Sequence, residues 1–238
     1  MKNTKKAPNP HAKHRQRMRQ RFLKCGLDAM ADHEVLELLL FYAIPRRDTN
    51  KIAHRIAEEF KNLHNLFDAN AVDVARRCGL TENTAILIAM IAPLARRYNL
   101  SKWNGRMSFE NGKALAEYAK SLFIGETSEC FYIICLDNDF KLISAEFLER
   151  GTDDRIELYP KEILRRVIQQ RASYVVLTHN HPSGSMEISA PDVAATSQLR
   201  TLLSGVEVEI LDHIVVCGQN YVSFAEKKIL GLAGIDDV

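Results

Sequence analysis

The sequence predicts an α/β sandwich with a mixed-direction sheet, preceded by a small all-α domain. Three observations carry this. From His14 to about Tyr98, apolar residues recur at helical spacing. From about residue 109 onward, short apolar runs alternate with helical patterns. Asp137-Asn138-Asp139 and Gly218-Gln219-Asn220 are hairpin-type turns, so some neighbouring strands are antiparallel.

Residues 1–13, rich in Lys, Asn and Pro, read as a disordered basic arm. The all-α domain spans 14–98. Val35, Leu36, Leu38, Leu39 and Leu40 define its first apolar helix, with Asp32 as N-cap and Glu34 and Glu37 in the opening turns. Pro45 ends it. Asp48 or Thr49 caps the next helix, whose apolar face is Ile52, Ala53, Ile56, Ala57 and Phe60. Leu63, Leu66 and Phe67 fall in a short connection. Helices over Ala71–Cys78 and Thr84–Arg97 flank the turn Gly79-Leu80-Thr81. That hairpin has the outline of a helix-hairpin-helix, a unit that grips nucleic-acid backbone through turn N–H groups. A purely structural helical hairpin is the other reading. The usual second glycine is replaced by Thr81, and Glu82 would repel a phosphate.

Polar residues over 99–108, with Asn104-Gly105 as a turn, mark a linker, and Trp103 within it should pack on a domain surface. The α/β domain spans 109–238. Its expected elements are a helix over Asn111–Phe123, a buried strand over Phe131–Leu136 and a return strand over Phe140–Leu148. A loop from Gly151 and a short strand over Ile156–Tyr159 follow. Pro160 then opens a helix with Ile163, Leu164, Val167 and Ile168 on one face. Tyr174–Thr178 is a central strand and Ser189–Leu203 a helix. Val206–Cys217 and Tyr221–Phe224 close the sheet.

Composition narrows the function classes. At 238 residues and 46% hydrophobic content, the chain can bury one or two cores. The net charge of +2 gives no bulk nucleic-acid signal. The charge is uneven, however. Lys2, Lys5, Lys6, Lys13, Arg15, Arg17, Arg19, Arg21 and Lys24 precede the first acidic residue, so this end either touches phosphates or is a solvated tail. The five cysteines lack CxxC spacing and read as reduced thiols in a cytoplasmic protein. No apolar run approaches the ~20 residues that span a bilayer, so no membrane partner is expected. The basic start lacks the apolar segment of a secretory signal. Nothing in the sequence sets the oligomeric state.

The chemistry concentrates at Thr178-His179-Asn180-His181-Pro182-Ser183-Gly184 and the following Ser189-Ala190-Pro191-Asp192. On a strand, positions i and i+2 share a face, so His179 and His181 can aim at one point. Asp192 reaches that point if the turn folds back. Two histidines and a carboxylate, with a fourth position left for water, form a catalytic zinc set. Ser189 at the helix mouth is placed to donate to an oxyanion. A glutamate outside the metal's own ligands should act as base. Glu129, Glu146, Glu149 and Glu162 are the candidates, and Glu129 is favoured because it flanks a buried strand. The competing reading is structural, since Ser189-x-x-Asp192 also has the form of a capping box. His213, in the apolar run Leu211–Val216, is either a satisfied core histidine or a partner of the zinc ligands.

These residues carry a family resemblance. His179-x-His181, seven residues, then Ser189-x-x-Asp192 resembles the JAMM signature, also called JAB or MPN+. The fuller match is to the RadC family. His179–Gly184 resembles its HNHPSG core, Leu211–Val216 its LDHIII segment and Tyr159–Glu162 its HPRE, with Tyr in place of His. The resemblance implies a JAB/MPN-like, cytidine-deaminase-like sandwich behind a helix-hairpin-helix-like domain. It implies Zn2+ held by His179, His181 and Asp192, with Ser189 steadying the oxyanion and Glu129 as general acid/base. The expected activity is that of a zinc-dependent peptidase or isopeptidase on a peptide or protein substrate. The alternative is a DNA-associated repair, recombination or mobile-element protein whose helical domain binds nucleic acid.

Overall fold

The structure is a computed structural model that describes residues 12–103, 108–151 and 160–237. The arm before residue 12, the Asn104-Gly105 turn, the strand expected over Ile156–Tyr159 and the loop beyond Gly151 lie outside these. The chain forms two compact units that meet between Leu94 and Ala95. Among the described residues, no helix is long and apolar enough to cross a membrane.

The first unit is all helical: α1 (Ala12–Cys25), α2 (Asp32–Ala43), α3 (Asn50–Phe60), α4 (Leu63–Phe67), α5 (Ala71–Cys78), α6 (Glu82–Ala89) and the start of α7 (Ile91–Ser101). Leu36, Leu40, Ile56, Leu66, Val74 and Ile88 form its core. The basic segment is not wholly a tail. Arg15 is buried, and its guanidinium donates to the carbonyls of Phe41 (3.0 Å), Ile44 (2.7 Å) and Arg47 (2.7 Å). The last carbonyls of a helix have no partner within it, so Arg15 closes α2 from outside and fastens α1 to it. Glu37 is buried rather than facing solvent in an opening turn. It pairs with His14 Nε2 (3.0 Å) and accepts from Asn50 Nδ2 (3.0 Å).

Three expected local features shift. The N-cap of α2 is Ala31, not Asp32; Ala31 has no side-chain acceptor, so only half a capping box forms, with Glu34 accepting from the Ala31 N–H (3.0 Å). Thr49 is the N-cap of α3, but its buried hydroxyl has no partner, and Asp48 accepts the Asn50 N–H instead (3.0 Å). The helix expected over Thr84–Arg97 is two helices that part at Met90. Pro93 supplies the reason: it has no N–H for the carbonyl four residues back, so it sits in the opening turn of a new helix. In the α5–α6 turn, Gly79 takes the left-handed conformation (φ 58°, ψ 40°) that glycine adopts without strain. Thr81 caps α6 in backbone terms only, its hydroxyl being bonded to Thr84 Oγ1 (2.9 Å).

The second unit contains α8 (Gly112–Leu122), β1 (Cys130–Leu136), β2 (Leu142–Arg150), α9 (Pro160–Gln170), β3 (Tyr174–Asn180), α10 (Ala190–Ser204), β4 (Glu209–Cys217) and β5 (Asn220–Ser223). The strand order is β2-β1-β3-β4-β5. Among the described strands, β3 and β4 run parallel, joined through α10, and the other pairs are antiparallel. Strand alternation divides the core in two. Phe131, Ile133, Val175, Leu177 and Val215 pack with Ile163 and Val167 of α9 and Leu199 and Leu203 of α10. Tyr132, Ile134, Val176, Ile214 and Val216 pack with Leu115, Ala119 and Leu122 of α8. Covering both faces explains why β1, β3 and β4 are almost wholly apolar. The result is a mixed α/β sandwich.

Leu100 and Trp103 belong to this second core, Trp103 lying 5.8 Å from Phe109 and 5.6 Å from Tyr118 between ring centroids. The linker expected over 99–108 thus starts inside α7. Two strands begin later than expected, each after a left-handed residue: Phe140 (φ 55°) before β2 and Glu207 (φ 59°) before β4. β3 runs two residues further than expected, through His179 and Asn180.

Replacing Arg15 by Ala should cost about 2–4 kcal/mol, because it removes three charge-assisted bonds and leaves carbonyls unpaired. Chemical denaturation of the full chain, followed by amide exchange in α2, reads this. A loss below about 0.5 kcal/mol, the level of an ordinary surface change, would show that Arg15 does not close α2.

Candidate metal centre

The centre forms where β3 leaves the sheet. His179 is fully buried on the α9/α10 face and stacks on Phe131, ring centroids 5.8 Å apart and planes 7° apart. His181 lies just beyond β3, yet its N–H still donates to Val216 of β4 (2.8 Å). The ladder therefore extends one residue past the strand and keeps both rings on one face. The chain then reverses. Gly184 N–H donates to His181 O (2.9 Å), and Gly184 has a left-handed φ of 76°. This reversal returns Ser189 and α10 to the histidines.

Ser189 and Asp192 form a complete capping box. Ser189 Oγ accepts the Asp192 N–H (3.1 Å), and Asp192 Oδ2 accepts from Ser189 N (3.0 Å) and Ser189 Oγ (2.6 Å). The structural and chemical readings of this motif are compatible, since the cap uses Oδ2 and leaves Oδ1 directed at His179 Nε2, 3.6 Å away.

The hydrogen-bond partners assign the histidine tautomers. Thr196 Oγ1 donates to the Asp192 carbonyl (2.7 Å), so it must accept from His213 Nδ1 (2.7 Å). A neutral His213 protonated at Nδ1 leaves Nε2 as an acceptor, and His179 Nδ1 donates to it (2.8 Å). His179 Nε2 is then a bare lone pair. His181 Nδ1 donates to the Ser185 carbonyl (2.8 Å), so its Nε2 is bare as well. Burial holds both inner rings neutral: the His179 pKa is pushed down to about 4 and that of His213 well below the usual histidine range.

His179 Nε2 and His181 Nε2 lie 3.0 Å apart, and with both rings neutral two lone pairs face each other. Only an electrophile between them satisfies both. Tetrahedral zinc with bonds of ~2.0–2.1 Å sets its ligand atoms ~3.3–3.4 Å apart. The 3.0 Å and 3.6 Å separations straddle that value. The two histidines and a neighbouring carboxylate fit such an ion in donor chemistry, with Asp192 close to His179 and Glu129 completing the cluster with both rings.

Glu129 also reaches the centre, with Oε1 3.8 Å from His179 Nε2. Its ligand atom lies with those of His179 and His181 inside one 4.8 Å cluster. Two carboxylates therefore compete for the third metal position. They differ in support. Asp192 is fixed by the cap, whereas among the described residues the Glu129 carboxylate accepts no hydrogen bond. Burial raises the Glu129 pKa, with His181 opposing and Asp192 reinforcing the shift. The other candidate glutamates lie elsewhere. Glu146 accepts from Gln170 Nε2 (2.5 Å), and Glu162 is gripped by Arg165 and Arg166. Glu149 sits opposite Phe131 on β2, a strand further from β3, with no bond to the histidines among the described residues.

A register shift brings His213 in. Val175 pairs with Ile210, but Val176 pairs with Asp212, so Leu211 is an extra residue. This bulge turns His213, rather than Asp212, toward the face of His179. The sequence leaves His213 open between core and site and does not single out Thr196, although Asp192 and Thr196 share a helix face at i, i+4 spacing.

The fold and this donor set define a JAB-type domain of the metal-dependent hydrolase class. The RadC-like JAB domain family model matches residues 109–229, and the chain belongs to that family. Its relatives include a UPF0758 protein of Fusobacterium nucleatum subsp. nucleatum, 31% identical over 224 residues, covering 91% of this chain and 97% of the relative. A UPF0758 protein of Pseudoalteromonas translucida is 31% identical over 215 residues (90% and 96%). One of Rhodobacter capsulatus is 32% identical over 213 residues (90% and 100%).

Replacing Thr196 by Val removes the acceptor of the His213 Nδ1 proton and with it the fixed tautomer of His179. Zinc affinity should fall about 10–100-fold, the usual effect of losing a bond behind a metal-binding histidine. Competition with a chromogenic chelator measures this. An unchanged affinity would show that the His213–Thr196 chain does not orient His179.

Proposed function

We propose that the chain is a zinc-dependent amide hydrolase acting on a peptide or isopeptide bond. The observation that carries this reading is the convergence of His179 Nε2 and His181 Nε2, 3.0 Å apart, with Asp192 Oδ1 3.6 Å from His179 Nε2. His179, His181 and Asp192 would hold the ion, and Glu129 would remain outside the ligand set. Zinc in that position supplies a Lewis acid that makes water nucleophilic near neutral pH and polarises an amide carbonyl.

The remaining steps belong to side chains. Among the described residues, the Glu129 carboxylate accepts no hydrogen bond, and it is part-buried with a raised pKa. It is suited to take the proton from water and pass it to the leaving amine. Ser189 currently gives its proton to Asp192 Oδ2 (2.6 Å). To steady a developing oxyanion it must redirect that proton, while Asp192 keeps the Ser189 N–H bond (3.0 Å). The buried relay from His179 through His213 to Thr196 keeps the first ligand from rotating.

Purified protein should hold one zinc per chain, and His179→Ala should abolish it. Glu129→Gln should keep the metal and lower peptide or isopeptide hydrolysis by about 10²–10⁴-fold, the contribution of a positioned acid/base. Elemental analysis together with a panel of peptide and isopeptide substrates checks both. Retention of zinc by His179→Ala, or full hydrolysis by Glu129→Gln, would refute the assignment.

A further inference from the structure

Asn180 stands between the two histidines, and the centre described above gives it no role. Strand alternation turns its side chain away from theirs, toward the start of β1. It is buried, and both ends of its amide are used. Asn180 Oδ1 accepts the Cys130 N–H (2.8 Å), and Asn180 Nδ2 donates to the Ser128 carbonyl (3.1 Å). The amide orientation is forced, because a backbone N–H only donates and a carbonyl only accepts. These two backbone groups flank Glu129.

The regular β1–β3 ladder ends at the pair Phe131–His179. Beyond it β3 turns off toward Pro182, and the backbone of β1 would lose its partner. The Asn180 side chain takes over as a substitute peptide group, continuing the ladder for Ser128 and Cys130. On the other edge, the Glu129 carbonyl accepts the Gly151 N–H (2.8 Å). The backbone at Glu129 is therefore held from both sides, and strand parity with Phe131 aims its side chain at His179. This backbone grip is what places the carboxylate, since the carboxylate itself accepts no hydrogen bond among the described residues.

We propose that Asn180 is a positioning residue for Glu129: its amide clamps the backbone on either side of the glutamate and so sets where the carboxylate stands relative to the histidines. This rests on the hydrolase reading for its catalytic consequence, but not for its geometry. It also explains what an asparagine contributes between two metal-facing histidines. A hydroxyl at that position could make one of the two bonds but could not both accept from Cys130 and reach Ser128.

The test uses the full chain with Asn180→Ala and Asn180→Asp, alone and combined with Glu129→Gln. Asn180→Asp is close to isosteric and keeps the acceptor for Cys130, but it sets an oxygen against the Ser128 carbonyl, so it guards against a simple packing loss. In metal-free protein, the Cys130 amide should exchange roughly tenfold faster in Asn180→Ala, with Val176 and Leu177 unchanged. In cobalt-loaded protein, the paramagnetic shifts of the Glu129 side chain should move while those of Ser189 stay. Metal affinity should remain within about threefold, far from the loss expected for a ligand. The kcat for a cleaved peptide should fall about 100-fold with KM little changed, as for a displaced catalytic group. Neither variant should add to the Glu129→Gln loss. Additive losses, unmoved Glu129 shifts or a Cys130 amide that exchanges as before would each overturn the proposal. If cobalt binds and no substrate is cut, the hydrolase reading fails while the Glu129 shifts decide the clamp. If no metal binds, Cys130 exchange decides it.

Discussion

The position of β3 between two different neighbours is the constraint on which the centre depends. It pairs antiparallel with β1 and parallel with β4. Both faces are buried, so slipping by one residue would carry His179 to the α8 side and bring Val176 out of its cluster. Register therefore fixes chemistry. The same ladders deliver the other parts: β1 brings Glu129 to the end of the sheet, β4 brings His213 beneath His179, and the His181 N–H is caught by Val216. Outside the sheet, the loop after β3 holds the His181 ring through Ser185, and the entry of α10 is set by the Gly184 reversal and the Ser189 cap.

The pairing of His179 with His181 on one face and the Ser189–Asp192 cap are readable because period-two alternation and a capping motif are local patterns. Glu129 was favoured for a sound reason, a carboxylate flanking a buried strand, although sequence alone does not place it. The rest depended on contacts remote in sequence. Arg15 and Glu37 look like surface charges in their helices, and only packing of α1 on α2 makes them internal. His213 reaches the site face through a bulge at Leu211, which no spacing rule announces. Asn180 bonds Cys130 and Ser128, fifty and fifty-two residues away. Helix starts differ from the expected ones because side chains beside the N-cap take over the capping, Glu34 for α2 and Asp48 for α3.

Asp192 shows how one residue can meet a folding demand and a chemical one. A capping box is worth about 1 kcal/mol to its helix, and its geometry fixes the N3 side chain. Here that fixed side chain is a carboxylate with a second oxygen to spare, so stabilising α10 and orienting a metal-facing group are one set of bonds. Glu129 has the opposite character. Its backbone is clamped, and among the described residues its carboxylate accepts no hydrogen bond. On the proposed hydrolase reading, rigid support for a ligand and freedom for a base are distinct needs, and the two carboxylates would meet them.

The histidine chain sets a direction as well as a position. Each proton in it is dictated by a group without choice: the Asp192 carbonyl takes the Thr196 proton, and the Ser185 carbonyl takes that of His181. Rotating the His179 ring would leave its buried Nδ1 unpaired, at a cost of about 1–3 kcal/mol. The fold thus holds the two Nε2 atoms 3.0 Å apart. A cation bound between them would use both without moving a ring, and its binding free energy would add to the stability of the folded state. On the zinc reading, the centre and the sheet that carries it would stabilise each other.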